Sequence, residues 1–349
     1  MAHPLSQIAQ RQALIDNLKG AACLFIILHH LAVYGPMSDA AIPALPKTID
    51  FLFEYGRMAV SVFLVIGGYL SGLKLCKANL FTQTSVFDLI AQKYLRLVVP
   101  YLAAIGLTIF CSFIAHHWMV HDSISNLPEP AQLVSHLFFL QNILGYESLS
   151  AGLWYVAIDF QLFTVSALLI FLIEKLSPAS WPFRQTRLIY LVSVAALTIS
   201  SLFIFNRNDD LDIFFIYFFA SYGLGFLSAW FIHEKKVLLF IFLVVDLLAL
   251  ALYIDYRERI LFSGITALIL CLGNQYHWSR WHIWKNPLAK LGQISYSIFL
   301  IHFPISLLVS SLWSNLYAQD PWMNVLGMFL SASLSILLAI PFYHLIEKR

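Results

Sequence analysis

Ten stretches of this chain are long and apolar enough to cross a bilayer. They lie near 17–35, 57–76, 97–118, 152–174, 188–205, 212–232, 237–254, 259–274, 291–313 and 323–345. At 1.5 Å per residue, a helix needs about 20 apolar residues to span a ~30 Å hydrocarbon core; the eighth stretch is the shortest of the ten. Only 11% of the 349 residues are charged, against about 25% in soluble domains. In lipid the backbone has no water to bond to, so apolar segments of this length satisfy their N–H and C=O groups as helices. The expected fold is an all-α integral membrane protein, a bundle of about ten transmembrane helices. It forms a single domain over residues 1–349, with no separate soluble domain.

Charge orients the spans. With the N-terminus inside, five of the 21 basic residues fall outside: Lys47, Arg57, Arg207, Arg257 and Arg259. The other sixteen fall inside, including Lys74 and Lys77, Arg280 and Lys285, and Lys348 and Arg349. Cytoplasmic enrichment of Lys and Arg is the expected orientation signal. The longest connection, 119–151, has neither residue and is placed outside. Both termini are then cytoplasmic. Pro36 follows the first apolar run and no small-residue cleavage pattern is evident, so that run is read as a retained span.

A net charge of +2 gives no basis for nucleic-acid binding. Cys23, Cys76, Cys111 and Cys271 all fall in or beside apolar segments with no CxxC pair, which predicts buried thiols without disulfides. His116, His117, His121 and His136 gather around 119–151, but their spacing fits no tight ligand set, and no metal is expected. Residues 131–143 of that loop are apolar yet too short to span, which predicts an interfacial or re-entrant segment.

Ionisable groups within the spans point to function. Lys19 and His30 are eleven residues apart on the first span. At about 100° per residue they return to within about 20° of one another, roughly 16 Å apart along the axis. Asp16 shares their face, and His29 is turned about 100° away. This places Lys19 at the inner surface and His30 near the midplane. Counting from span ends puts Tyr69, Asp159 and His302 at a similar level, with Ser295 on the His302 face one heptad earlier. Asp246 reads as a structural or pathway residue. Lys93 and Arg96, followed by Pro100, form a two-cation patch at the cytoplasmic face near Lys74 and Lys77. Such a patch suits a phosphorylated ligand.

Six strings give these residues a context. IDNLKGAACLFIILHH at 15–30 resembles the Arg/Lys, ten residues, His opening of the acyltransferase type 3 family of integral membrane proteins. FLVIGGYLSG at 63–72 is similar to its second-span FFxxSGY pattern, and KYLRLVVP at 93–100 to its RxxRxxxP. LWYVAIDFQLF at 153–163 resembles its WxxxxE segment. LGQISYSIFLIHFP at 291–304 resembles its LGxxSYxxYLxHxP signature, and HLIEKR at 344–349 its ExP-like end. The chain departs from these patterns at Lys19 and Lys93, where Arg is commoner, and at Gly67, where Ser is usual. It departs also at Asp159, where the family has Glu, and at Lys348, where Pro would follow.

The resemblance implies a multi-pass O-acyltransferase of the bacterial inner membrane, acting in the cell envelope. It would move an acyl group, most often acetyl, from cytoplasmic acetyl-CoA or another acyl-CoA to a hydroxyl of an extracytoplasmic or lipid-linked sugar. His30 would be the catalytic residue. On this reading His30 acts as general base, Asp159 orients or stabilises the imidazolium, and Tyr69 or Ser295 donates to the oxyanion. Lys19, Lys74, Lys93 and Arg96 meet the CoA phosphates, with Lys19 alternatively paired to Asp16. The physical pattern alone equally suits a transporter or flippase for a lipid-linked sugar, which would show no dependence on acyl-CoA. A non-catalytic subunit of a glycan assembly complex would tolerate loss of His30, Lys93 and Arg96 together.

Overall fold

Helices account for the regular structure that the computed structural model shows over residues 4–76, 84–178, 180–276 and 287–348, with side chains described from residue 13. Among the described residues there is no strand. The flanking cations Lys77, Arg280, Lys285 and Arg349 lie outside them. Among the described residues fourteen α-helices follow in chain order: α1 Pro4–Val33, α2 Pro36–Ala41, α3 Pro46–Tyr55, α4 Ala59–Leu75, α5 Val86–Ala115, α6 Pro130–Leu137, α7 Leu153–Leu176, α8 Phe183–Phe203, α9 Phe215–His233, α10 Val237–Ile254, α11 Glu258–Gln275, α12 Pro287–Gln293, α13 Ser295–Tyr317 and α14 Pro321–Phe342. A π-helical turn, Tyr343–Glu347, ends the described chain.

Nine runs among the described residues are long and apolar enough to cross a membrane, from Ala13–Val33 to Pro321–Glu347. The second joins α3 and α4 into one 30-residue run, Pro46–Leu75, longer than the 57–76 expected. The eighth apolar stretch of the sequence is the one that falls short. It forms α11, an 18-residue helix that opens on Glu258 and Arg259 and closes on Asn274 and Gln275. Its polar Ser263 and Thr266 are buried against neighbouring helices. The third span also differs: α5 begins at Val86, so Lys93 and Arg96 sit two to three turns inside a helix that runs on past Pro100. Residues 131–143 hold all but the first residue of the eight-residue α6, followed by turns.

The chain divides into two compact units with interleaved segments: Met1–Ile15, Val60–Leu95 and Ala157–Lys285 in unit 1, and Asp16–Ala59, Arg96–Val156 and Asn286–Arg349 in unit 2. No change of composition marks these boundaries.

Unit 1 is organised by small residues. Gly68 and Gly72 of α4 face α9, where a Cβ on Gly68 would overlap the Tyr222 carbonyl. Reciprocally, a Cβ on Gly225 of α9 would overlap the Val65 carbonyl. These glycines belong to a GxxxG pair on one helix and a Ser221–Gly225–Ala229 row on the other, a spacing that lets membrane helices approach backbone to backbone. Ser221 Oγ lies 2.7 Å from Ser263 Oγ of α11. At one end, Arg257 donates to the backbone and side chain of Asn206 and pairs with Asp255, closing the α8–α9 and α10–α11 connections together.

Unit 2 applies the same device at the start of α1. A Cβ on Gly20 would overlap the Leu288 carbonyl of α12, and one on Gly292 the carbonyl of Asp16. α13 and α14 form a hairpin whose second helix is capped by Asp320, which accepts from the N–H groups of Trp322 and Met323. Such a cap satisfies donors that the first helical turn leaves unpaired. The connection 119–151 closes on itself: Ser125 Oγ donates to the Leu149 carbonyl, and Gln132 Nε2 to that of Glu147.

Candidate active site

His30 is buried in unit 2, and its partner is another histidine. His30 Nδ1 lies 2.6 Å from Nε2 of His302, 272 residues away on α13. The two rings are nearly parallel, at 12°, with centroids 4.9 Å apart. Because that separation exceeds the N···N distance by about the width of one ring, the rings meet edge to edge, as an in-plane N–H···N bond requires. His302 Nδ1 in turn donates to the Phe299 carbonyl at 2.8 Å and, less closely, to that of Ile298.

The carbonyls assign the protons. A carbonyl only accepts, so neutral His302 carries its proton on Nδ1 and presents a lone pair at Nε2. His30 must then donate from Nδ1, which leaves its own lone pair on Nε2. Local helix geometry sets up the relay. His302 bonds to carbonyls three and four residues back along α13, just before Pro304, whose missing N–H loosens the helical ladder. Phe299 packs edge-on against Tyr155 at 5.4 Å. Ser335 of α14 donates to the His302 carbonyl.

The other expected residues of unit 2 gather nearer the start of α1. Ser295 is the first residue of α13, and its carbonyl receives the Cys23 thiol. Glu347, in the terminal ExP-like string, accepts from Ser297 Oγ at 2.5 Å. Arg96 and Lys19 both act electrostatically on that carboxylate. Lys19 also acts on Asp16, which accepts from Gln293 Nε2 at 3.4 Å. Tyr296 Oη donates to the Leu97 carbonyl, tying α13 to α5 one residue past Arg96.

Unit 1 holds the remaining four. Asp159 is engaged by Lys93, with Nζ 2.5 Å from Oδ2 and the two side chains 13% and 22% exposed. Gly67 leaves room beside Asp159: a Cβ there would lie 3.0 Å from its Oδ1. Lys74 and Lys93 each stand 5.6 Å from the centroid of the Phe163 ring. Tyr69 is fully buried on α4. The carboxylate expected to serve His30 is thus held by a cation that was itself expected to serve a phosphate. The pairing of Lys93 with Asp159 spans 66 residues, and nothing in either string announces it.

Around the 119–151 connection, His136 donates from Nδ1 to the Gln132 carbonyl and accepts at Nε2 from the Leu149 N–H. His117 bonds to the Phe113 carbonyl, and His121 to Ser123. These histidines hold backbone. Among the described residues no group of three or more His, Cys, Asp or Glu is placed to hold a metal. All four cysteines are free thiols.

Comparisons with curated proteins and with solved structures each returned no match. The family model described as an acyltransferase domain matches residues 13–344, nearly the whole chain, from just before Asp16 to the start of the terminal string. That interval takes in both histidines, the Lys93–Asp159 pair and Arg96. The chain belongs to the acyltransferase type 3 family and is a multi-pass membrane acyltransferase.

Proposed function

We propose that this acyltransferase moves an acetyl group from acetyl-CoA to a hydroxyl of a lipid-linked or extracytoplasmic sugar, with His30 as general base. The observation that carries the reading is the relay from the Phe299 carbonyl through His302 to His30. It resembles the arrangement in which a third group holds a catalytic imidazole in one tautomer and orientation. Here it keeps the His30 lone pair on Nε2.

In the step itself, Nε2 takes the proton of the acceptor hydroxyl as its oxygen attacks the thioester carbonyl. The tetrahedral intermediate collapses, the C–S bond breaks, and the CoA thiolate leaves with the proton returned from His30. The charge formed on His30 meets the His302 lone pair, whose ring is held by two carbonyls.

For the donor, phosphates need cations. Lys19 and Arg96 supply them in unit 2, where the donor would displace part of their hold on Glu347. In unit 1, Lys74 is a further candidate, whereas Lys93 is committed to Asp159. The charge pattern supports a cytoplasmic donor and both termini inside, and the family resemblance supports a bacterial cytoplasmic membrane as the location.

The test is acetyl transfer from labelled acetyl-CoA to the glycan fraction of membranes carrying the full-length protein. His30→Ala should lower kcat by about 10²–10⁴, the usual contribution of general-base catalysis. Transfer at the wild-type rate in that variant would remove His30 from the mechanism. A transporter would show no dependence on acyl-CoA in the same assay.

A further inference from the structure

A groove of about 390 Å³ runs between α8, α9 and α10 within unit 1. Leu191, Leu224 and Phe240 are buried at its base, whereas Leu188, Val192, Ile199 and Leu243 stand exposed along its rim. All three helices are apolar enough to span, so an open rim faces lipid. The Phe231 and Phe240 rings, 5.2 Å apart, join α9 to α10. Thr198 brings the one hydroxyl of the lining, and it donates back to the Val194 carbonyl. Trp230 Nε1 is buried and gives the groove no polar surface. The surface on offer is therefore hydrocarbon, and in a bilayer it takes a hydrocarbon chain. On α8 the lining runs from Leu188 to Ile199, about 16 Å at ~1.5 Å per residue. That is about half of a ~30 Å core, the depth of one leaflet.

One end of the groove selects among lipids. α8 begins at Phe183 and α10 just after Lys236, both on the side that the charge pattern places in the cytoplasm. Arg184 precedes Leu188 and Leu191 by four and seven residues, so it continues their face of α8 one turn outward. Lys236 precedes Phe240 and Leu243 by the same steps, and its carbonyl accepts from the Phe240 N–H at 3.1 Å, so that turn is formed. Both residues are exposed, and neither makes an ion pair among the described residues. Glu234, the carboxylate just past α9, is already held by Arg187 at 2.9 Å, which leaves both cations to an outside anion.

We propose that this groove is a lipid site, seating one acyl chain of an anionic diacyl phospholipid of the cytoplasmic leaflet with its phosphodiester on Arg184 and Lys236. Basic pockets between transmembrane helices on the cytoplasmic side take anionic headgroups in this way. The open rim lets the second chain remain in the bilayer. A zwitterionic lipid would bring its own ammonium to the two cations, and a second copy of the chain docked here would have to bury them unpaired. The site is separate from acetyl transfer and uses no residue of the His30 relay or of the donor cations.

The experiment titrates the full-length protein in detergent with dioleoyl phosphatidylglycerol or dioleoyl phosphatidylcholine and counts bound lipid by native mass spectrometry. One phosphatidylglycerol per chain should bind first, roughly 30-fold more tightly than phosphatidylcholine, about fivefold for each cation near the surface. Arg184→Gln combined with Lys236→Gln should bring phosphatidylglycerol to the phosphatidylcholine level. Lys175→Gln removes a cation of α7, which does not line the groove, and should leave the preference unchanged. Ala195→Phe fills the groove and should weaken both lipids about tenfold or more, the loss of roughly two buried methylenes. Ala196→Phe, turned about 100° away, should weaken neither. If Ala195→Phe does not fold, the charge replacements, at exposed positions, decide the matter. Equal affinity of the wild type for the two lipids overturns the proposal, as does a preference that survives the double charge replacement. Lipid binding untouched in a folded Ala195→Phe also overturns it, and a lipid-free dimer lost in that variant would give the groove to a second copy instead.

Discussion

Replacing His302 by alanine separates a catalytic relay from a mere packing contact. The substitution removes the acceptor of the 2.6 Å bond from His30 Nδ1 and leaves that N–H buried and unmade. A buried donor without a partner costs about 1–3 kcal/mol. If the bond holds the reactive tautomer through the transition state, that cost appears in kcat. At about 1.36 kcal/mol per factor of ten, the expected fall is roughly 5- to 150-fold. His30→Ala removes the base itself and should fall further, by about 10²–10⁴. The double variant should be no slower than His30→Ala alone, because the relay has nothing left to orient. His302→Gln keeps a carbonyl oxygen that can accept from Nδ1 and should recover most of the loss. The assay is single-turnover acetyl transfer in nanodiscs, with chromatographic homogeneity confirming that each variant is folded. Wild-type kcat in His302→Ala, or losses that multiply in the double variant, would refute the relay.

Four further outcomes follow from the packing and charge of the two units. Gly68→Val drives a side chain into the Tyr222 carbonyl, which cannot swing away, and should destabilise unit 1 by about 1–3 kcal/mol or more, read as a lower thermal midpoint. Gly106→Ala on α5, where a Cβ meets nothing within 4 Å, should instead be neutral or stabilise by about 0.5–1 kcal/mol. Lys93→Met or Asp159→Leu alone strands a partly buried charge and should cost about 1–3 kcal/mol, below the ~3–5 of a fully buried pair. The double replacement should recover most of that cost, whereas an unshifted melting midpoint with a raised acetyl-CoA KM in Lys93→Met would return Lys93 to donor binding. Burial pushes the His136 imidazole, outside the spans, below its ordinary value of 6.5. The unfolded loop therefore binds a proton before the folded one, and the anchoring of 119–151 is complete above about pH 6.5 and weakens as pH falls below it. Limited proteolysis of the connection should accelerate on acidification in the wild type, and His136→Gln should flatten that dependence.

Much of this was legible along the chain because it depends on local periodicity. Nine of the apolar stretches formed helices able to span, since apolar length in lipid leaves the backbone little choice. The eighth forms an 18-residue helix as well, with Glu258 and Arg259 at one end and Asn274 and Gln275 at the other lowering its mean hydropathy. Counting residues placed Lys19 and His30 on one face, because eleven residues is close to three helical turns. The strings around His30, Lys93, Asp159 and His302 pointed to the family that the match over 13–344 shows. The GxxxG row at Gly68 and Gly72 was in plain view within FLVIGGYLSG, but a small-residue row does not name its partner helix.

The partners were what the sequence could not assign. Depth along a span is a one-dimensional count, and it put Asp159 foremost as the companion of His30, with Tyr69 and His302 at a similar level. Choosing between them needs the rotation of each helix and the identity of its neighbours, which packing sets. The fold gives His30 to His302 across 272 residues and gives Asp159 to Lys93 across 66. It also turns the Phe299 carbonyl toward His302, which fixes a proton that no sequence pattern specifies. By itself the sequence determined which segments could lie in lipid and which polar residues they carry, because both follow from the run of apolar and polar positions along a helix. Only the tertiary structure decided which of those residues share a proton or a charge, because a hydrogen bond forms over about 3 Å and only packed helices set distances that fine.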